Sequence, residues 1–138
     1  MKSMFAAAVG WLVLAPAMAD DVSGSERLLC SSSQAMICFE TGECFNAQPW
    51  ELDVPQFVLV DLKKNVLSTT GASEERRSTP IARVTREEGT IFLQGIERRR
   101  AFSIVIEESL GTFNAAVARD GVTVSVFGAC TDAERIGG

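Results

Sequence analysis

The sequence predicts an all-β protein, an antiparallel up-and-down meander closing into a small eight- or nine-stranded barrel. Three observations lead there. Apolar and polar residues alternate with period two over 101–107, 112–118 and 122–127, as half-buried strands require. Turn-forming clusters such as Lys63-Lys64-Asn65, Glu87-Glu88-Gly89 and Asp120-Gly121 separate the apolar runs. Nothing after residue 19 carries the 3.6-residue apolar stripe of an amphipathic helix. A β-sandwich is the alternative.

The first segment reads as a leader rather than as part of the fold. Met1-Lys2-Ser3 supplies one positive charge, Met4 to Leu14 is an apolar run of eleven residues, and Ala17-Met18-Ala19 precedes Asp20. That order describes a secretory signal peptide over 1–19. The run is shorter than the ~20 residues a bilayer-spanning helix needs. Residues 20–138 are then expected to form a single domain in the periplasm or outside the cell, with no membrane anchor.

Strands are expected at 27–31, 35–39, 57–62, 66–70, 80–85 and 90–95, followed by the three alternating segments. Register can be counted from the turns. A two-residue turn at Asp120-Gly121 sets Arg119 opposite Val122, and therefore Val117 opposite Val124, Ala115 opposite Val126 and Phe113 opposite Gly128. A turn over 108–111 sets Ile106 opposite Phe113 and Ile104 opposite Ala115. One over 97–100 sets Gly95 opposite Phe102, Leu93 opposite Ile104 and Ile91 opposite Ile106. Four consecutive strands thus place their apolar sets on one face, where a slip of one residue would turn a set to water. The bulk of these residues predicts a filled interior, with a ligand cavity as the alternative. Trp50, the only tryptophan after the leader, is expected to plug a barrel end.

Cys30, Cys38, Cys44 and Cys130 make an even count in a short exported chain, which reads as two disulfides. Three pairings are possible. Cys38 with Cys44 across a turn-like segment is favoured, leaving Cys30 with Cys130. Zinc is disfavoured, because there is no Cys-x-x-Cys pair and no histidine.

The absence of histidine and tyrosine excludes histidine triads, histidine metal sites and tyrosine acid/base chemistry. The carboxylate pairs Glu74-Glu75 and Glu87-Glu88 fall in turns, and Glu107 and Glu108 point to opposite faces of a strand. No enzyme, cofactor or metal is expected. After the leader, twelve basic residues face eighteen acidic ones, a net charge of −6, so nucleic acid is not an expected partner.

The segments Ile91-Phe92-Leu93-Gln94-Gly95, Ala101-Phe102-Ser103-Ile104-Val105-Ile106 and Phe127-Gly128-Ala129-Cys130 resemble a group of small exported β proteins of Gram-negative bacteria. The resemblance spans most of the chain after the leader and implies export without implying an activity. Periplasmic lysozyme inhibitors are similar in size, β content and paired cysteines, but their Ser-Gly-x-x-Tyr loop is missing.

Charge placement supplies the functional expectation. Alternate turns of a meander fall at one end, so the loop at 71–78 and the turns at 97–100 and 119–121 share a rim. That rim gathers Arg76, Arg77, Arg98, Arg99, Arg100 and Arg119, with Glu74, Glu75, Glu97 and Asp120. Guanidinium groups present forked donors to carboxylates and phosphates. The expected function is a binding or inhibitor-like module that recognises an anionic envelope component or protein through this rim. The plain alternative for the charges is that turns solvate them. The alternative function is a lipocalin-like carrier of a small apolar or amphipathic ligand inside the barrel.

Overall fold

The structure is a computed structural model that describes residues 10, 20–73 and 75–135. The leader expected over 1–19 lies, Gly10 apart, outside the described residues. The described chain is all β, with ten strands and one short 3-10 turn. In chain order they are β1 (Arg27–Phe39), β2 (Cys44–Ala47), the 3-10 turn (Pro49–Leu52), β3 (Phe57–Asp61), β4 (Val66–Thr69), β5 (Ser78–Pro80), β6 (Arg83–Glu87), β7 (Thr90–Glu97), β8 (Arg100–Glu107), β9 (Thr112–Arg119) and β10 (Val122–Asp132).

Nine strands form one curled antiparallel sheet in the order β5-β4-β3-β1-β10-β9-β8-β7-β6, and β2 pairs with β1 off that path. The sheet curls into a half-barrel. Its two edge strands are consecutive in the chain, joined by Ile81 and Ala82. At this junction the chain changes partner: the Ile81 amide donates to Asn65 on the β4 side, and the Ala82 amide donates to Gln94 of β7. The stretch expected as one strand at 80–85 is therefore divided between the two edges.

The counted register is the observed one. Arg119 faces Val122, Val117 faces Val124, Ala115 faces Val126 and Phe113 faces Gly128. Ile106 faces Phe113 and Ile104 faces Ala115, while Gly95, Leu93 and Ile91 face Phe102, Ile104 and Ile106. Two glycines make room for aromatic rings on this face. A Cβ on Gly95 would run into the Phe102 ring and meet the Pro80 carbonyl at 3.0 Å; one on Gly128 would run into the Ser31 carbonyl oxygen and meet the Phe113 ring at 2.5 Å.

The expected strands at 27–31 and 35–39 are one strand, β1, interrupted by a bulge. Ser32 pairs with Gly128 and Gln34 with Phe127, leaving Ser33 as the extra residue. Its first half pairs with β3, its second half with β2, and β10 runs along almost all of it. First and last strands are thus neighbours. Cys30 and Cys130 stand directly opposite each other and form a disulfide; Cys38 and Cys44 form the second, across the β1–β2 hairpin. Two disulfides suit an oxidising compartment. No helix among the described residues is long and apolar enough to cross a membrane.

The interior divides into two zones. Toward the end that carries the 61–66 and 107–112 turns, Leu28, Ile91, Leu93, Ile106 and Val60 are buried around the Cys30–Cys130 bridge, each contributing about 1.5–3 kcal/mol by leaving water. Val22 closes this end. It is fully buried, and its amide donates to the Glu108 carbonyl at 2.8 Å. Ser25 Oγ fixes the same segment by donating to Asp132 at 2.9 Å. The other end is not filled.

Candidate functional site

Pairing places the loop at 70–77, the Arg98-Arg99 turn and the Asp120-Gly121 turn at one end, as counted. Direct contacts tie the first two together: Arg77 reaches Glu97 and Arg98 reaches Glu75. Arg98, Arg100 and Arg119 line a common groove. Arg76 and Arg99 are exposed at the same end and line neither the groove nor the cavity described below. Glu74 lies outside the described residues, and Asp120 makes no ion pair among them.

Beneath this rim the half-barrel encloses a cavity of about 120 Å3. Its apolar walls are Val58 and Val60 from β3, Leu67 from β4, Phe102 and Ile104 from β8, Phe113, Ala115 and Val117 from β9, Val126 from β10 and Cys30 from β1, with Ser32, Ser68, Thr69 and Thr79 adding hydroxyl groups. Asp53, Arg77, Glu97 and Arg100 stand at its mouth. The fully filled interior expected from side-chain bulk is corrected here. Small residues on β9 and β10, Ala115 beside Val117 and Val126, leave space that the bulkier β7–β8 pairs fill lower down. Above the mouth lies the groove, about 480 Å3, walled by Ile37, Leu52, Val117, Val122 and Val124 and rimmed by Arg98, Arg100 and Arg119. Cavity and groove share Asp53, Val54, Arg100 and Val117.

The segment between β2 and β3 lines both spaces, through Asp53 and Val54. Pro49 is buried, whereas Trp50 is 56 % exposed. Trp50 is therefore not the plug; its neighbours Leu52 and Val54 turn inward instead. The 3-10 turn stops at Asp53, which adopts the left-handed conformation at φ 58°. From there the Asp53 carboxylate contacts three guanidinium groups, Arg77 at 3.4 Å, Arg98 at 3.6 Å and Arg100 at 3.6 Å. Arg98 and Arg99 also have positive φ, 48° and 64°, in a two-residue turn that ordinarily calls for Asn-Gly. Three non-glycine residues in this conformation at one rim mark it as a place where local backbone preference yields to something else.

The arginines differ in commitment. Arg77 is the most enclosed, its side chain 7 % exposed. Its Nε and Nη2 donate to Glu97 Oε1 at 2.9 and 2.6 Å, and its Nη1 donates to the Asp53 carbonyl at 3.1 Å. Arg98 donates to Glu75 at 2.5 Å; that hydrogen bond, then the Glu75 charge, raises its pKa above the ordinary value. Arg100 is 15 % exposed and makes only longer contacts, to Glu97 at 3.4 Å and Asp53 at 3.6 Å. Arg119 makes no ion pair among the described residues.

Asp53 is the residue that sequence reasoning missed. It sits between Pro49 and Pro55 in a segment readable as a turn, but nothing local says that this turn folds over the mouth. No group of acidic residues and cysteines suited to holding a metal ion occurs among the described residues. No known protein family, curated protein or solved structure matches this chain.

Proposed function

We propose that this is an exported, non-catalytic binding protein that holds a small apolar or amphipathic ligand at the arginine end of its half-barrel. The observation that carries the reading is an apolar cavity opening between Asp53, Arg77, Glu97 and Arg100 into a larger groove. The inner space, about 120 Å3, is somewhat smaller than the ~150 Å3 apolar hole that binds benzene, so it suits a slender short chain. Cavity and groove together reach the ~300–1,000 Å3 of ordinary small-ligand sites. The rim enters as the mouth of this space rather than as a free-standing anion patch, because Arg77 and Arg98 already hold Glu97 and Glu75. Removal of the leader and residence in the periplasm or outside the cell accord with the two disulfides.

The test is native mass spectrometry on protein recovered from its own host, beside an Ala115→Phe variant that fills the cavity. The reading expects a retained small molecule on the natural chain and none on the variant. An unliganded natural chain that also ignores added short-chain amphiphiles would refute it.

A further inference from the structure

We infer that the ligand is a single-chain amphiphile with an anionic head, that Arg100 and Arg119 receive the head, and that Asp53 stands in its place when the site is empty. The inference rests on the reading that the cavity takes a ligand. Arg100 lines both cavity and groove. Its ion-pair contacts all go through Nη2, at 3.4 Å to Glu97 and 3.6 Å to Asp53. Charge-assisted bonds of this kind normally close to about 2.7–2.9 Å. Among the described residues Nε and Nη1 have no partner. Glu97 offers Arg100 only its second oxygen, Oε2, at 3.4 Å, since Oε1 is taken at short range by two nitrogens of Arg77. Arg119 stands on the same groove without an ion pair among the described residues.

Asp53 is the counterpart. Its carboxylate is 53 % exposed and spread over three guanidinium groups at 3.4–3.6 Å, with no short contact to any of them. It neutralises the site without filling it. A carboxylate or phosphate carried in on an apolar chain would make the forked, short bonds that Asp53 does not make. Glu97 and Glu75 are bound by Arg77 and Arg98, and the groove sets three guanidinium groups, Arg98, Arg100 and Arg119, against two carboxylates, Glu51 and Asp53, so its lining carries a net positive charge that disfavours a cationic head. Apolar walls run unbroken from the groove, at Val122, Val124 and Val117, into the cavity at Ala115 and Val126, so chain and head are accommodated in line.

Hexanoate, hexyl phosphate, hexanol and hexyltrimethylammonium are titrated calorimetrically into the oxidised protein, its Asp53→Asn variant and its Arg100→Gln variant. The two anions should bind about tenfold or more tighter than hexanol, and the cation least. Whichever anion binds more tightly names the head group. Asn tolerates the left-handed backbone at this position, so Asp53→Asn keeps the loop while removing the competing charge. It should tighten both anions severalfold and leave hexanol unchanged, whereas Arg100→Gln should abolish the preference for anions. Hexanol binding as tightly as hexanoate overturns this inference and leaves the cavity reading standing. Weaker anion binding by Asp53→Asn also overturns it. If none of the four probes binds, the cavity reading falls and the inference falls with it.

Discussion

Removing the two disulfides one at a time should have very different consequences. Cys30 and Cys130 are separated by 100 residues, Cys38 and Cys44 by 6. In the chain-entropy model the long loop is worth about 4.7 kcal/mol at 25 °C and the short one about 2.4 kcal/mol. The surroundings widen the gap. Cys30 and Cys130 are buried within the core, so a Cys30→Ala/Cys130→Ala double variant also loses packed sulfur, whereas Cys38 is half-buried and Cys44 exposed. With a urea slope of about 1.5 kcal/mol/M, the midpoint should fall by about 3 M for the long bridge and about 1.5 M for the short one. The slope itself should rise more for the long bridge, because the released unfolded chain expands further. Equal losses, or a larger loss at the hairpin, would show that the core bridge is not what holds β1 against β10.

Other outcomes follow from the same geometry. Gly128→Ala, which drives a methyl into the Ser31 carbonyl and the Phe113 ring, should destabilise by roughly 2–4 kcal/mol in chemical denaturation, while alanine at the exposed Gly71 should change stability by no more than about 0.5 kcal/mol. Changing Arg98-Arg99 to Asn-Gly should raise stability by about 1 kcal/mol, since the backbone gain exceeds the ~0–1 kcal/mol of exposed ion pairs such as those of Arg98 with Glu75 and Asp53; a loss would show that these ion pairs dominate. Asp132 accepts hydrogen bonds from the Glu134 amide and from Ser25, which hold its carboxyl below the ordinary 3.8. Its contribution is therefore complete above that value and lost as pH falls through the lowered pKa, so the acid limb of a stability–pH curve should flatten in Asp132→Asn.

How much of this was legible in the sequence follows the physics of each feature. The four strands β7–β10 could be registered by counting, because two-residue periodicity and short turns leave one alignment that buries Ile91, Ile106, Phe113 and Val126 together. The cysteine pairing was legible because a curled meander that returns to its first strand brings Cys30 to Cys130. β2 was not legible: Cys44 to Ala47 is too short to show alternation, and its partner is the far half of a strand that looked like two. The change of partner at Ile81 is likewise a tertiary event, fixed by Asn65 and Gln94 rather than by its neighbours. The arginines announced themselves by clustering in turns. Asp53 did not, since its role depends on a loop folding across the mouth, and the same fold leaves Trp50 outside when its size suggested a plug.

The most direct test of the account is a methyl NMR titration of the oxidised protein with hexanol, the probe that isolates the cavity from the charge of its rim. Shift changes confined to the methyls of Val58, Leu67, Ile104, Ala115, Val117 and Val126, and abolished by Ala115→Phe, are the predicted result. Changes spread over outward residues such as Met36 and Ile96, or none at any concentration below general denaturation, would contradict it.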